Sequence, residues 1–341
     1  MRCLTVANEI ANRGGHCDFV CAQLPTSLHR AALQRGHGVH RIATAVPLDS
    51  DDPGWELSCW PDETQGKDAH AAARAVGARR YDWLVVDHYR LDQRWEERAQ
   101  TLAARTMVVD DLANRRHCCD LLLDQGPGRH ASDYDDLVVP TGCDFRMGPS
   151  YALLRPEFAA ARKPSLQRRH ASTRVERILV SLGMGDPDSA TERVVEAVVA
   201  LPFTAAIDVV LSSSAPSLPG LMLFAERDSR FTLHVDTSDM ATLMAAADLA
   251  IGAAGTTSWE RCCVGLPTLL LVLAENQRRI ATVLDSMGAA IHVDVLSDLG
   301  TALMHLVEDH SARAELSARS AAITEGRGAT VIVDDMARAT T

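Results

Sequence analysis

The stretch AIGAAGTTSWERCCVGLPTLLLVLAENQ, residues 250–277, decides the fold. It begins with a short apolar run, continues through a helix-like segment, TTSWERCC, and returns to an apolar run, PTLLLVL. Continuous apolar runs separated by a helical segment are typical of parallel strands that helices cover on both faces. Ligands of such sheets bind at the carboxyl ends of the strands, so the polar residues after each run are candidates for a binding site.

The same alternation runs through both halves of the chain. Residues 1–12 form a helical start, and the pattern lapses over residues 158–176, which are basic, polar and broken by Pro164. We therefore predict an α/β fold with two doubly wound, Rossmann-like domains facing a cleft. The predicted parts are an N-terminal domain (1–157), a linker (158–176) and a C-terminal domain (177–341). The strand-like runs are HCDFVCA, VHRIATAV, YDWLVVDHY, MVVDDL, CDLLLD, RILVSLG, AIDVVLSSS, FTLHVD, DLAIGAAG and PTLLLVL.

Length and composition restrict the class of protein. A chain of 341 residues is too long for one ordinary core, which agrees with two domains. The formal net charge of -11 argues against a nucleic-acid partner. No apolar run approaches the roughly 20 residues that cross a bilayer, and the start lacks the features of a signal peptide. We expect neither nucleic-acid binding nor membrane insertion.

The nine cysteines do not form a metal or redox motif. No C-x-x-C occurs, which argues against a zinc knuckle or a thioredoxin-type site. The run HCCD at residues 117–120 is a poor metal site, because neighbouring side chains of a strand point to opposite faces. We expect no metal, no cofactor and a reducing, cytoplasmic location.

The turn SLGMGDPDSAT, residues 181–191, joins a predicted strand to a predicted helix. Gly183 and Gly185 would let the backbone approach a phosphate, and the helix N-terminus would supply N–H donors. The turn lacks the third glycine of the dinucleotide fingerprint and the G-K-[ST] of a P-loop. Phosphate binding here therefore rests on two glycines.

A second turn, within residues 251–263, offers hydroxyl groups where a helix begins. Gly252 and Gly255 free the turn, and backbone N–H groups could spread the charge of a diphosphate without a metal. Glu260, in the first helical turn, has two interpretations that the residues leave open. It could complement the helix dipole, or it could accept both hydroxyls of a ribose. The hydroxyl residues are Thr256, Thr257 and Ser258.

The third turn of the second half carries Glu275, Asn276 and Gln277 after an apolar run. Asn276 could cap the following helix. The two carboxamides could equally bind a sugar or a phosphate at the mouth of the cleft.

In the first half, Asp87, His88 and Tyr89 follow the buried run YDWLVV. A histidine beside an aspartate suggests a general base. Consecutive strand residues face opposite ways, however, so Asp87 need not orient His88. The pair Asp110 and Asp111 could act as acid and base, or could simply form a turn.

Together these motifs resemble the UDP-2,4-diacetamido-2,4,6-trideoxy-β-L-altropyranose hydrolase family of pseudaminic acid biosynthesis. The motifs span nearly the whole chain in collinear order, and several are long. They are MRCLTVAN, DWLVVDHYRLDQRWE, VVDDLANRRHCCDLLLDQ, GPSYALLRPEF, ILVSLGMGDPD and AIGAAGTTSWERCCVGLPTLLLVLAENQ.

The resemblance implies a fold of the glycosyltransferase-B type and a metal-independent hydrolysis. The reaction breaks the anomeric C–O bond of a UDP-sugar, releases UDP and inverts the anomeric carbon. Because UDP is a good leaving group, the two carboxylates of ordinary glycosidases are not expected. One base would activate water, and electrostatic stabilisation would assist UDP.

The resemblance also assigns site residues. It implies that Glu260 binds the ribose and that Thr256 to Ser258 contribute to the diphosphate cradle. Asn276 and Gln277 match a pair near the diphosphate and sugar, and Tyr89 matches a tyrosine facing the sugar. The turn that contains Gly183 and Gly185 fits an interdomain loop that faces the ligand.

One departure concerns the catalytic base. In this family a first strand and a G-x-G-H turn precede the helix M-R-C-L-T, and the histidine of that turn is the base. We therefore expect the base upstream of Met1. His16 lies after the first helix and is no substitute, and His88 is a candidate that we do not favour. The written start could be late in a longer reading frame, or the protein could be shortened. The loss of a central strand would leave backbone groups unpaired, which favours the former.

Three hypotheses follow. The first is the UDP-sugar hydrolase, and the second is a glycosyltransferase of the same fold that uses a UDP-sugar donor. The third is a truncated, non-catalytic binder of UDP-sugar. We expect a cytoplasmic monomer.

Overall fold

The computed structural model describes residues 1–43, 58–139, 142–183 and 185–340. The chain folds into two units. The first comprises Met1–Leu153 with Gly328–Thr341, and the second comprises Leu154–Arg327. Met184, and the part of the predicted strand VHRIATAV beyond residue 43, lie outside the described residues.

The first unit is built on a four-stranded parallel sheet. Its strand order is Tyr81–Val86, Ala103–Val109, Leu121–Asp124 and Asp144–Met147. Two parallel pairs accompany it: Asp18–Cys21 with Gly38–Arg41, and His117–Cys118 with Val138–Val139. The helices are Arg2–Asn12, Thr26–Gln34, Asp62–Val76, Gln93–Ala99 and Gly328–Thr340, with 3-10 turns at Gln100–Leu102, Ala131–Tyr134 and Pro149–Tyr151.

Alternation along the central strands explains why helices cover both faces of this sheet. Met107 and Val109 point to one face, where they pack with Ile332 of the last helix. Val108 points to the other face, where it packs with Trp95. Because side chains alternate with a period of two, a strand that is apolar at every position needs a covering layer on each side.

The second unit holds a six-stranded parallel sheet. Its order is Phe231–Val235, Ala206–Leu211, Arg177–Ser181, Leu249–Ala253, Thr268–Leu271 and Ile291–His292. In chain order this is 3-2-1-4-5-6, the doubly wound arrangement that we predicted. The helices are Pro156–Ala171, Ala190–Val199, Leu218–Arg227, Met240–Ala246, Thr257–Cys263, Arg278–Ser286, Leu299–Glu308 and His310–Ala321, with 3-10 turns at Pro187–Ser189, Glu275–Gln277 and Leu296–Asp298.

The division of the chain differs from the predicted parts 1–157, 158–176 and 177–341. Most of the predicted linker lies in helix Pro156–Ala171, which continues through Pro164. This helix belongs to the second unit, and one of its basic residues fixes it to the rest of that unit. The Arg168 guanidinium donates to Asp248 Oδ1 at 2.6 Å and to Ala247 O at 2.5 Å. The basic side chains that suggested a linker therefore help to hold a packed helix in place by hydrogen bonds.

We predict that the buried methionine of the second unit contributes strongly to its stability. Met244 is 0% exposed, whereas Met222, also on a helix of this unit, is 54% exposed. Met244→Ala should lower the free energy of unfolding by about 2–5 kcal/mol, because it leaves a cavity. Met222→Ala should change it by less than about 0.5 kcal/mol. Urea unfolding of both variants checks this, and equal losses would contradict the packing described above.

Candidate functional site

The turn after strand Leu249–Ala253 is open at its surface. A Cβ atom placed on Gly255 would meet no other atom within 4 Å, and Thr256 is exposed. The helix begins with Ser258 N–H donating to Gly255 O at 2.9 Å and Trp259 N–H donating to Thr256 O at 3.1 Å. The first N–H groups of a helix have no acceptor within it, so this turn can present donors to an anion.

A buried arginine supports the turn from beneath. The Arg261 guanidinium donates to Ala253 O at 2.7 Å and to Ser258 Oγ at 3.0 Å. Gly252 makes room for it, since a Cβ there would clash with Arg261 Nη1. Ser258 is 1% exposed, so its hydroxyl serves Arg261, and its predicted contact with a diphosphate stays a prediction. Sequence reasoning missed Arg261; the available signal was Gly252, nine residues before it.

Glu260 is a half-buried carboxylate whose nearest cation is distant. Its side chain is 15% exposed. Among the described residues, Glu260 forms an ion pair with Arg155 Nη2 at 3.9 Å. The same guanidinium group lies closer to Glu157, at 2.9 Å. Burial raises the pKa of Glu260 to about 7, although Arg155 and Arg261 act to lower it. A carboxylate whose oxygens lack strong donors is suited to accept hydroxyl groups from a ligand.

The third turn forms a 3-10 turn, Glu275–Gln277, before helix Arg278–Ser286. Gln277 Oε1 accepts a hydrogen bond from Leu273 N–H at 2.9 Å, which fixes the loop against the end of its strand. Asn276 is exposed and is not the N-cap of either helical segment, so the capping interpretation of this residue is not supported. The carboxamides' contact with a sugar or phosphate stays a prediction.

The turn after strand Arg177–Ser181 differs from the open turn at Gly255. Gly183 has a φ of +98°, a conformation that favours glycine, and Gly185 is exposed. The buried carboxylate of Asp186 accepts hydrogen bonds from Thr191 N–H at 2.8 Å and Ser217 N–H at 3.1 Å. These bonds lower its pKa although burial opposes them. The Thr191 N–H group, near the N-terminus of this helix, is therefore already bound by the carboxylate of Asp186. The sequence did not predict this contact.

In the first unit, Arg2 links the ends of two neighbouring strands. Its guanidinium donates to Asp87 Oδ1 at 2.6 Å and to Asp111 Oδ2 at 3.0 Å. Tyr89 Oη donates to the same Asp111 oxygen at 3.2 Å. Although burial acts to raise it, Arg2 lowers the pKa of Asp87. The structure thus brings together Asp87, Tyr89 and Asp111, and adds Arg2, which no motif indicated.

His88 is not arranged as a general base. Its Nδ1 accepts a hydrogen bond from Arg90 N–H at 3.1 Å, which places the proton of a neutral imidazole on Nε2. Burial lowers the pKa of His88 to about 4, against the opposing effect of Asp87. The ring packs against Trp60, with 4.9 Å between centroids. As expected from strand geometry, Asp87 pairs with Arg2 and does not orient His88.

Asp110 and Asp111 do not form an acid–base pair. Asp110 is fully buried, accepts from Tyr134 Oη at 3.0 Å and pairs with Arg115 at 2.8 Å. Tyr134 also lies 2.8 Å from Asp124, whose pKa burial raises to about 6. Asp110 belongs to this internal network, whereas Asp111 belongs to the cluster with Arg2.

The sequence of this chain is similar to those of known proteins. The chain is 26% identical over 226 residues to the UDP-2,4-diacetamido-2,4,6-trideoxy-β-L-altropyranose hydrolase of Campylobacter jejuni, which covers 66% of this chain and 79% of that protein. The family resemblance predicted from the motifs is confirmed. The chain is also 32% identical over 166 residues to the spore coat polysaccharide biosynthesis protein SpsG of Bacillus subtilis, covering 48% of this chain but only 45% of SpsG. No family model matches the chain.

Solved structures establish the fold. MurG of Acinetobacter baumannii superposes with a TM-score of 0.66 over 99% of this chain and 95% of its own, at 14% identity. The calicheamicin glycosyltransferase CalG4 gives 0.61 over 99% and 94%, also at 14% identity. The MnaA–UDP co-structure from S. aureus gives 0.62 over 98% and 92%, at 12% identity. The predicted glycosyltransferase-B fold is confirmed, and identities this low show the fold alone.

Three further findings concern metals, cysteines and membranes. Within the described ranges, no three His, Cys, Asp or Glu side chains are grouped to hold a metal ion. All nine cysteines are free thiols. In the same part of the chain, no helix combines the length and apolarity needed to cross a membrane.

We predict that Glu260 destabilises the folded protein at neutral and alkaline pH. Its folded pKa of about 7 exceeds the ordinary value of 4.5, so the unfolded state releases its proton first and the free energy of unfolding falls as pH rises between these values. Glu260→Gln should therefore be more stable than the parent by about 3 kcal/mol at pH 8, and equal to it near pH 4. Urea unfolding at both pH values measures this difference.

The matched control is Glu275→Gln, because the side chain of Glu275 is 76% exposed. It should leave the stability nearly unchanged at both pH values. A Glu260→Gln variant that is less stable than the parent at pH 8 would show that the carboxylate has stabilising partners in the fold.

Proposed function

We propose that the protein binds a UDP-sugar and hydrolyses the bond between its anomeric carbon and UDP. The observation that carries the proposal is Glu260, a half-buried carboxylate with a distant cation, one helical turn from the open turn at Gly255. Ribose hydroxyls would supply the donors that the carboxylate lacks, and the N–H groups beside Thr256 would meet the diphosphate. The similarity to the Campylobacter jejuni hydrolase supports this assignment.

The sugar in the proposal is a 2,4-diacetamido-2,4,6-trideoxy-hexose, the sugar class that the relative's name gives for that protein. Tyr89 is the candidate contact to the sugar, and Arg2 holds its hydrogen-bond partner Asp111. Asn276 and Gln277 are candidates near the diphosphate, and Gly183 and Gly185 are candidates in the ligand-facing loop.

The proposed chemistry needs few protein groups. Water attacks the anomeric carbon as the C–O bond to the β-phosphate breaks, so the electron pair of that bond leaves with UDP, and the proton of water passes to a base. Attack opposite the leaving group inverts the configuration. UDP leaves as a trianion, so donors at the Gly255 turn assist its departure without a protein acid. The proposal gives His88 no role as the base, because its Nδ1 is occupied and its pKa lies near 4.

The binding part of the proposal predicts a pH-dependent affinity for UDP. The ionised form of Glu260 is the better acceptor for ribose hydroxyls, so affinity should rise with pH through about 7 and level off above it. Glu260→Gln should weaken UDP binding by about 1.5–3 kcal/mol, roughly 10- to 150-fold, and remove this pH dependence. Isothermal titration calorimetry with UDP measures both.

Glu315, on helix His310–Ala321, has a side chain that is 62% exposed and provides the control for this experiment, and Glu315→Gln should bind UDP as the parent does. Parent-like affinity of Glu260→Gln across the pH range would refute the assignment of the ribose-binding carboxylate.

The reaction part predicts where oxygen from water goes. Incubation of UDP-2,4-diacetamido-2,4,6-trideoxy-β-L-altropyranose in ¹⁸O-water should give UDP free of label and sugar with one ¹⁸O at the anomeric position, because the C–O bond is the one that breaks. Mass spectrometry of both products and NMR of the nascent anomer provide the readout. Label in UDP would contradict anomeric cleavage. If the protein binds UDP but releases no UDP from the UDP-sugar in water, the hydrolase hypothesis is refuted. The glycosyltransferase and the non-catalytic binder are then the two alternatives.

A further inference from the structure

A cavity of about 320 Å³ opens at the amino ends of the strands in the second unit. Asp248 and Pro267, which immediately precede strands Leu249–Ala253 and Thr268–Leu271, lie in its lining. The candidate turn at Gly255 follows the carboxyl end of the first of these strands, so the cavity and that turn lie at opposite ends of the same sheet. The apolar part of the lining includes Leu166, Ala314, Ala318 and Ala321.

The charged residues of this lining are mostly cationic. The cations are Arg169, Arg174 and Arg313, against the single carboxylate of Asp248. That carboxylate is already compensated: Oδ1 accepts from Arg168 at 2.6 Å, and Oδ2 accepts from the N–H groups of residues 176 and 177 at 2.8 and 3.0 Å. The cavity therefore has excess positive charge in a chain whose net charge is -11.

Two of these guanidinium groups are buried, and Asp248 attracts them only from beyond ion-pair distance. Arg169 donates to carbonyl oxygens, including Met244 O at 2.6 Å, and Arg313 donates to Leu306 O and Thr173 O, both at 2.7 Å. Among the described residues, neither arginine lies within 4 Å of a carboxylate oxygen. Burial lowers the pKa of Arg169 to about 9. Because an unpaired buried charge is unfavourable, an anion placed in the cavity would be stabilised.

We propose that this cavity binds a small organic anion. Its apolar body would lie against Leu166, Ala314 and Ala318, and its charged group would face the guanidinium groups of Arg174 and Arg313. The volume suits a compact ligand, since small-molecule sites begin at roughly 300 Å³. This site is separate from the nucleotide site proposed above and does not depend on it.

Titration with 8-anilinonaphthalene-1-sulfonate tests the proposal, because this probe joins an aromatic body to a sulfonate and fluoresces when it is bound. We expect one site per chain that excess UDP does not displace. Ala318→Trp, which fills the cavity, should abolish this binding. Arg174→Glu, which reverses an exposed charge at the cavity, should weaken it about tenfold, or ~1.4 kcal/mol.

Two controls come from exposed positions on or next to helix Ala190–Val199 of the same unit. Arg193→Glu matches the charge reversal and Ala200→Trp matches the added indole, and both should bind the probe as the parent does. Circular dichroism confirms that each variant is folded. The proposal is overturned if the parent does not bind the probe, if UDP displaces it, or if Ala318→Trp and Arg174→Glu bind it unchanged.

Discussion

Parallel pairing imposes the geometry on which the rest of the protein depends. When every strand of a sheet runs in the same direction, all the carboxyl ends meet at one edge, and the chain must leave that edge through a turn into a helix. In the second unit, successive strands are added on opposite sides of Arg177–Ser181, so the turns after this strand and after its neighbour Leu249–Ala253 diverge. The two glycine-containing turns therefore stand at the point where a doubly wound sheet leaves room for a ligand.

The carboxylates at these two turns differ in their hydrogen bonds. The carboxylate of Asp186 accepts hydrogen bonds from Thr191 N–H and Ser217 N–H, and these bonds lower its pKa. At the other turn, Glu260 lies beside the helix start with a distant arginine as its partner. The first arrangement completes its own hydrogen bonds and stabilises the loop. The second leaves a carboxylate without a close cation among the described residues, an arrangement that suits a ligand with hydroxyl donors.

Local pattern predicted the strands and most helices, because each depends on residues close together in the sequence. It also indicated Glu260, whose role in binding ribose stays a prediction. It could not predict the Arg2 cluster, whose members Asp87 and Asp111 lie 85 and 109 residues away. It also misplaced residues 158–176, since a basic segment with a proline does not show that its guanidinium groups will find buried carbonyls. It could not predict the partner of helix Gly328–Thr340, because an apolar helix face fits any apolar sheet face.

That last helix has a consequence for how the protein is made. Helix Gly328–Thr340 packs into the core of the first unit, where Trp83 Nε1 donates to Met336 O at 3.1 Å across 253 positions of sequence. The second unit is one continuous segment and has all its strands once residue 327 is synthesised. The first unit is translated earlier but cannot complete its core until the final helix leaves the ribosome. We therefore expect the core of the first unit to be completed only after the second unit has been synthesised, because helix Gly328–Thr340 follows the whole second unit along the chain.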